Sequence, residues 1–184
     1  LDCLMTTICT DRTLPSQLHD YDGSLGPTSW SEDMTSLADN GDSTVMFERI
    51  ANFATKNYTF AYKYNDAAWA KLGMGPLWKE IMDNILPIVA STNRAGGSHP
   101  PKLALFSGHD TTLMPILATL GDKVWEGTEW APYASMIQIE VHKILKSDKN
   151  YPSGFAFRLI YNGNVLTSKM DKCKAELCDI QVLI

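Results

Sequence analysis

The chain has 184 residues, enough to bury one good core, or one core with a smaller annex. Its composition, 45% hydrophobic and 20% charged, is that of a globular protein, and no apolar run approaches the ~18 residues of a bilayer span. The net charge of −5, with lysines and arginines scattered rather than striped, excludes a nucleic-acid surface or a polybasic membrane patch, but not a local anion site.

The chain opens at Leu1-Asp2-Cys3-Leu4-Met5, inside what reads as a helix, with no methionine or targeting segment, so it is expected to be a processed or truncated end. Residues 1 to about 72 read as helical and loop-rich. Pro15 to Pro27 is a long surface loop, and Ser31 caps a short helix from Glu32 to Asp39 that Asn40-Gly41 stops. Asp42-Ser43 caps a further helix that turns Val45, Met46, Ile50, Phe53 and Ala54 inwards. From Leu72 the character changes. Leu77, Trp78, Ile81, Met82, Ile85, Ile88 and Val89 form a helical stripe, with Lys79, Glu80, Asp83 and Asn84 opposite, and Pro87 should kink or shorten that helix.

A turn-rich connector, Ser91 to Pro101, leads to Leu103-Ala104-Leu105-Phe106, a continuous apolar run expected to be a strand covered on both faces. A second helix runs from Thr111 to about Leu120, closed by Gly121, with Pro115 early enough to be tolerated. Ile137, Ile139 and Val141 alternate with Gln138, Glu140 and His142, the pattern of a half-exposed strand. Phe155 to Tyr161 is another strand, and Asn162-Gly163 is a strong two-residue hairpin turn into Val165-Leu166. Helices, a buried strand and antiparallel strands together imply an α/β layer with helical material ahead of it.

Four cysteines, Cys3, Cys9, Cys173 and Cys178, allow three disulfide pairings. Their spacing suits two small loops better than a zinc site, so no metal is expected. Asn57-Tyr58-Thr59 is a glycosylation sequon. Sequon and cysteines together lean towards an oxidising setting: secreted, lysosomal or otherwise lumenal, or at the cell surface.

The chemistry concentrates in Ser107-Gly108-His109-Asp110. Ligands of open α/β sheets bind beyond the carboxyl ends of strands, where helix N-termini offer N–H groups and partial positive charge to an anion. Gly108 lets the backbone turn sharply there. His109 can donate a hydrogen bond to a phosphate oxygen, and Asp110 can give a proton to a departing alkoxide. Spacing alone favours the plainer reading, in which Asp110 is only the cap of the following helix and His109 a loop residue. The other histidines, His19, His99 and His142, read as surface or loop residues. Trp30, Trp69, Trp78, Trp125 and Trp130 read as packing residues, with the Trp125–Trp130 segment also a candidate to border a substrate mouth.

The stretch LALFSGHDTTLMPILATLG closely resembles the C-terminal signature of the histidine acid phosphatases, a branch of the histidine phosphatase superfamily. Tyr133-Ala134-Ser135 with Ile137-Gln138-Ile139-Glu140, and Phe157-Arg158-Leu159-Ile160-Tyr161-Asn162-Gly163, resemble the strands that follow it in the family. Gly75-Pro76-Leu77 and Leu14-Pro15 fit as well, whereas residues 16 to 72 match only loosely. The spelling HDTT rather than HAE points to the acid phosphatase branch over the inositol polyphosphate phosphatases. The resemblance implies part of a three-layer α/β/α domain, residues 73–184, preceded by part of a mostly helical cap, residues 1–72. It implies His109 as a phosphate-binding residue, Asp110 as the proton donor, and a small disulfide loop at Cys173 and Cys178, with Cys3 and Cys9 the remaining candidates. The Thr111 that follows receives no catalytic step.

In that family a histidine within Arg-His-Gly-x-Arg-x-Pro attacks phosphorus, and arginines clamp the phosphoryl oxygens. No Arg-His-Gly occurs here, and Arg12, Arg49, Arg94 and Arg158 stand in no comparable context. The chain thus resembles a C-terminal half, expected to be inactive alone and to need the N-terminal half of the same protein. The implied partners are a phosphomonoester and inorganic phosphate, with no nucleic acid, and a homodimer is left open. No cofactor is implied. The alternative is a non-catalytic pseudophosphatase or binding module of the same fold.

Overall fold

The computed structural model describes residues 43–90, 101–127 and 129–184. The expected Ser31 helix, the Pro15–Pro27 loop, Cys3, Cys9, Trp30, His19 and His99 lie outside the described residues. The chain divides into two compact units, Leu1–Tyr58 and Thr59–Ile184. In the first unit the described backbone is helical from Ser43, where the Thr55 hydroxyl donates to the Ala51 carbonyl at 2.8 Å. Asn57 is exposed, and so is Phe53, against the expectation that it turns inwards.

The helix α1 (Ser43–Ala90) is broken once, at Tyr64–Ala67. Asn65, Asp66 and Ala67 take φ values of 53, 55 and 56° in succession. Asparagine and aspartate tolerate this left-handed region because their short polar side chains bond locally, and the Lys71 ammonium here donates to Asp66 Oδ2 at 2.6 Å. The break comes earlier than the change in composition at Leu72, and the backbone stays helical through Pro76 and Pro87. At Pro87, expected to kink or shorten the helix, the backbone keeps helical φ/ψ, and the described helix runs on to Ala90. Pro87 lies in the last turn, where a missing N–H costs one hydrogen bond at a helix end.

After the break the apolar stripe does what its spacing demands. Ile85 is buried, and Ile81, Met82, Ile88 and Val89 pack against the same core, while Lys79, Glu80 and Asp83 face solvent. Trp78 is half-buried and its indole N–H donates to the Thr119 hydroxyl at 2.8 Å. Trp69 departs from expectation: it is 74% exposed.

The helix α2 (Asp110–Thr119) is the most deeply buried helical segment, with Met114, Pro115, Ile116, Leu117 and Ala118 all in the interior. It ends at Leu120, and Gly121 follows with φ +121°, donating its N–H to Ala118 at 3.3 Å. The sheet is antiparallel throughout. Strand β1 (Ile137–Lys143) pairs along its whole length with β2 (Phe155–Tyr161), from Ile137 opposite Tyr161 to Lys143 opposite Phe155. Asn162 and Gly163, at φ 48° and 81°, make the turn that returns the chain as β3 (Asn164–Val165). Positive φ at both central positions is the twist-matched hairpin geometry that Asn-Gly favours.

The opposite edge of β2 is shared by two short strands. Next to its end lies β3, and β4 (Cys178–Asp179) pairs with Ala156 and Phe157 at its start. Between them the buried Thr167 hydroxyl accepts from the Leu159 N–H at 2.8 Å, so no backbone donor there is orphaned. Cys173 and Cys178 are joined by a disulfide, with Cα atoms 5.4 Å apart. Together with the packed helices this is an α/β arrangement whose core comprises Met114, Leu117, Trp125, Phe157, Leu159 and Ile180.

One expected strand is absent. Leu103–Phe106 forms no strand pairing among the described residues, and Leu103 and Leu105 are 72% and 84% exposed. A continuous apolar run becomes a covered strand only where neighbours supply hydrogen bonds on both edges and packing on both faces. No described segment offers either.

Candidate active site

The exposed run ends in Ser107 and Gly108, and the chain then turns into α2. A Cβ on Gly108 would lie 3.2 Å from both Cβ and Cγ2 of Thr112, so a side chain there would press on the first turn of the helix. His109 is the N-cap, in extended conformation, and its carbonyl accepts from the N–H groups of Thr112 and Leu113 at 2.9 and 3.0 Å. Its ring is exposed and makes no cap hydrogen bond. Asp110 is the first helical residue rather than the cap. The cap position expected for Asp110 thus belongs to His109, one residue earlier.

The contacts of the Asp110 carboxylate are specific. Asp110 Oδ1 accepts the Thr111 N–H at 2.7 Å, and Oδ2 accepts the indole N–H of Trp130 at 2.5 Å. Each carboxylate oxygen thus has one donor and keeps a lone pair for a proton or a further partner. Asp110 is half-buried beside the exposed His109 ring. An acid and a hydrogen-bond donor stand side by side at a helix N-terminus.

The segment bearing Trp130 is anchored from α1. Thr59 Oγ1 donates to the Gly127 carbonyl at 2.8 Å, and a Cβ at Gly127 would sit 2.2 Å from Thr59 Cγ2, so only glycine fits there. Lys63 donates to the Trp125 carbonyl at 3.1 Å and pairs with Asp122 at 3.2 Å. The Trp125 ring is buried, with its centroid 6.2 Å from that of Tyr62. The two later family-like segments also meet. Ser135 Oγ lies 3.3 Å from the Tyr161 hydroxyl and accepts from Asn162 Nδ2 at 3.1 Å.

Beyond this corner, Glu140 and Arg158 pair across β1 and β2, with Nη2 at 2.7 Å and Nε at 2.8 Å from Glu140 Oε2. The Arg158 hydrogen bond holds the Glu140 carboxyl below its ordinary range, against a smaller opposing effect of burial. His142, on the polar face of β1, stands 3.2 Å from the same oxygen. Among the described residues no cluster of side chains suits a metal ion.

The structure places His109 and Asp110 together at the head of α2 and adds a contact between Asp110 and Trp130 that the sequence does not suggest. From the sequence the Trp125–Trp130 segment is only a candidate border of a substrate mouth. The two partners are twenty positions apart and follow no periodic spacing that would pair them.

The chain belongs to the histidine phosphatase superfamily (branch 2), whose family model matches residues 26–162. It is 30% identical over 123 residues to Counting factor 60 of Dictyostelium discoideum, a match covering 67% of this chain and 25% of that protein. It is 34% identical over 97 residues to the lysosomal acid phosphatase of Bos taurus, covering 52% and 21%. With the lysophosphatidic acid phosphatase type 6 of the same species it shares 26% over 131 residues, covering 71% and 28%. The chain spans about a quarter of the length of these curated relatives. No solved structure matches it.

Proposed function

We propose that this chain is the C-terminal portion of an acid phosphatase that hydrolyses phosphate monoesters through a phosphohistidine intermediate. His109 holds a phosphoryl oxygen, and Asp110 gives its proton to the leaving alcohol. The observation that carries this reading is the Asp110 carboxyl, held by two donors at the start of α2 next to the exposed His109 ring. Two of the relatives are named as phosphatases, which supports it. The nucleophilic histidine and its arginine clamp come from residues outside these 184, so the chain alone is inactive. Residues 1–72 belong to a helical cap, and residues 73–184 to the C-terminal part of the catalytic domain. The Cys173–Cys178 disulfide supports a secreted, lysosomal or cell-surface location, with Asn57 as an exposed glycosylation acceptor.

The test uses the full-length protein. Asp110→Asn should lower kcat on alkyl phosphates by roughly 10²–10⁴ while p-nitrophenyl phosphate, whose leaving group needs no proton, suffers far less. Equal losses on both substrates would remove Asp110 from the acid role. His109→Ala should weaken inhibition by inorganic phosphate or vanadate, and unchanged inhibition counts against phosphate binding there. A second reading, a pseudophosphatase of the same fold, is favoured by one observation, the lack of any Arg-His-Gly within this chain. Full-length protein without phosphatase activity on any ester would select it.

A further inference from the structure

We propose that Trp130 is a positioning residue for acid catalysis: its indole N–H fixes the torsion of the Asp110 carboxyl and so aims the proton that the leaving group receives. The inference rests on the reading of Asp110 as the proton donor.

The terminal torsion of an aspartate is soft and roughly two-fold, so an untethered carboxyl presents its proton in many directions. Here Oδ2 is held by Trp130 at 2.5 Å and Oδ1 by the Thr111 N–H at 2.7 Å. The backbone donor belongs to α2 itself and moves with Asp110. The indole is the donor that ties the carboxyl to a different part of the chain. An indole N–H has no acceptor lone pair and does not ionise, so it orients the acid without competing for its proton.

Both ends of this hydrogen bond sit against packed parts of the chain. Asp110 starts a helix whose following turns are buried, and Trp130 is half-buried, packed against the core and next to the buried Ala131. Thr59 and Lys63 of α1 donate to the carbonyls of Gly127 and Trp125, which shortly precede Trp130 in the chain. A donor that served stability alone could bond any nearby carbonyl. This one ends on an oxygen of the reacting acid.

The experiment is the leaving-group dependence of the full-length enzyme, measured for Trp130→Phe, Asp110→Asn and the double variant. Trp130→Phe keeps an aromatic ring and deletes the donor. It should lower kcat on glycerol 2-phosphate roughly tenfold or more, the effect expected of one hydrogen bond to a charged group, with p-nitrophenyl phosphate and the inhibition by inorganic phosphate changed less than about threefold. In the Asp110→Asn background the added Trp130→Phe should cost no further activity. Equal losses on the two substrates, or an undiminished loss in that background, would overturn the proposal and leave Trp130 a packing residue. Should Trp130→Phe fail to fold, benzothienylalanine at position 130 replaces the N–H by sulfur in a ring of the same shape and carries the same test. If Asp110→Asn itself shows no leaving-group dependence, the proton-donor role falls and this inference falls with it. If Asp110→Asn shows it and Trp130→Phe does not, the positioning role alone is wrong.

Discussion

Two apolar runs in this chain look alike on paper and end differently. Phe155–Tyr161 is buried: β1 covers one edge, β3 and β4 share the other, and Phe157 and Leu159 are fully enclosed. Leu103–Phe106 is as apolar, and Leu103 and Leu105 stand bare in solvent. The difference lies in neighbours, not in composition. β2 is one turn away from β3 and is joined to β1 by residues 144–154, so most of its pairing comes from chain near it in sequence, and β4 adds a partner from further along. The earlier run has no such partner among the described residues, yet it is the segment that delivers His109 and Asp110. The buried part of the molecule and the exposed run meet at the start of α2.

The largest expected effect tests the buried side of that contrast. Phe157→Ala empties a site in the centre of β2 and should cost about 3–5 kcal/mol, read as a lowered denaturant midpoint. A loss under about 1 kcal/mol would mean that the sheet is not the stability core.

A smaller effect comes from the exposed face of the same sheet. Glu140 is held below its ordinary value of 4.5, first by the hydrogen bond from Arg158. A carboxyl lowered by folding stabilises the folded state above its unfolded value, and that contribution fades as the pH falls through the lowered one. The pair is about one third exposed, so solvent screens it and the contribution is modest. Melting temperatures taken from neutral pH into acid should fall less steeply for Glu140→Gln than for the parent. An unchanged slope would show that the Arg158 pair carries no folding energy.

Within this chain by itself, the smallest effect belongs to the bare run. In the 184-residue chain Leu105→Ser should change stability by no more than about 0.5 kcal/mol, as for other surface substitutions. In the full-length protein the same change should cost about 2 kcal/mol or more, if the rest of the domain supplies the missing strands. Equal and negligible costs in both would show that nothing covers the segment.

Much of this was legible in advance because it is local. The stripe from Leu77 to Val89, the Asn162-Gly163 turn and the α2 stop at Gly121 all follow from spacing and backbone preference within a few residues. Ser-Gly-His-Asp was legible for the same reason, since a glycine turn and a helix start are short-range signals. The left-handed break at Tyr64–Ala67 was not, because Asn-Asp permits that conformation without requiring it. The pairing of β4 with β2, the Thr167 hydroxyl on Leu159 and the exposure of Trp69 were hidden too. Each depends on which distant segment arrives beside the residue.

By itself the sequence determined most element types, though not the fate of Leu103–Phe106, together with the antiparallel hairpin and the family. Tertiary structure alone decided that Asp110 is not its helix's cap, that its second oxygen meets Trp130, and that Leu103–Phe106 stays uncovered. Periodicity and turn chemistry act over a few residues and are written along the chain. Burial and hydrogen-bond partners twenty positions apart arise only once the segments have packed.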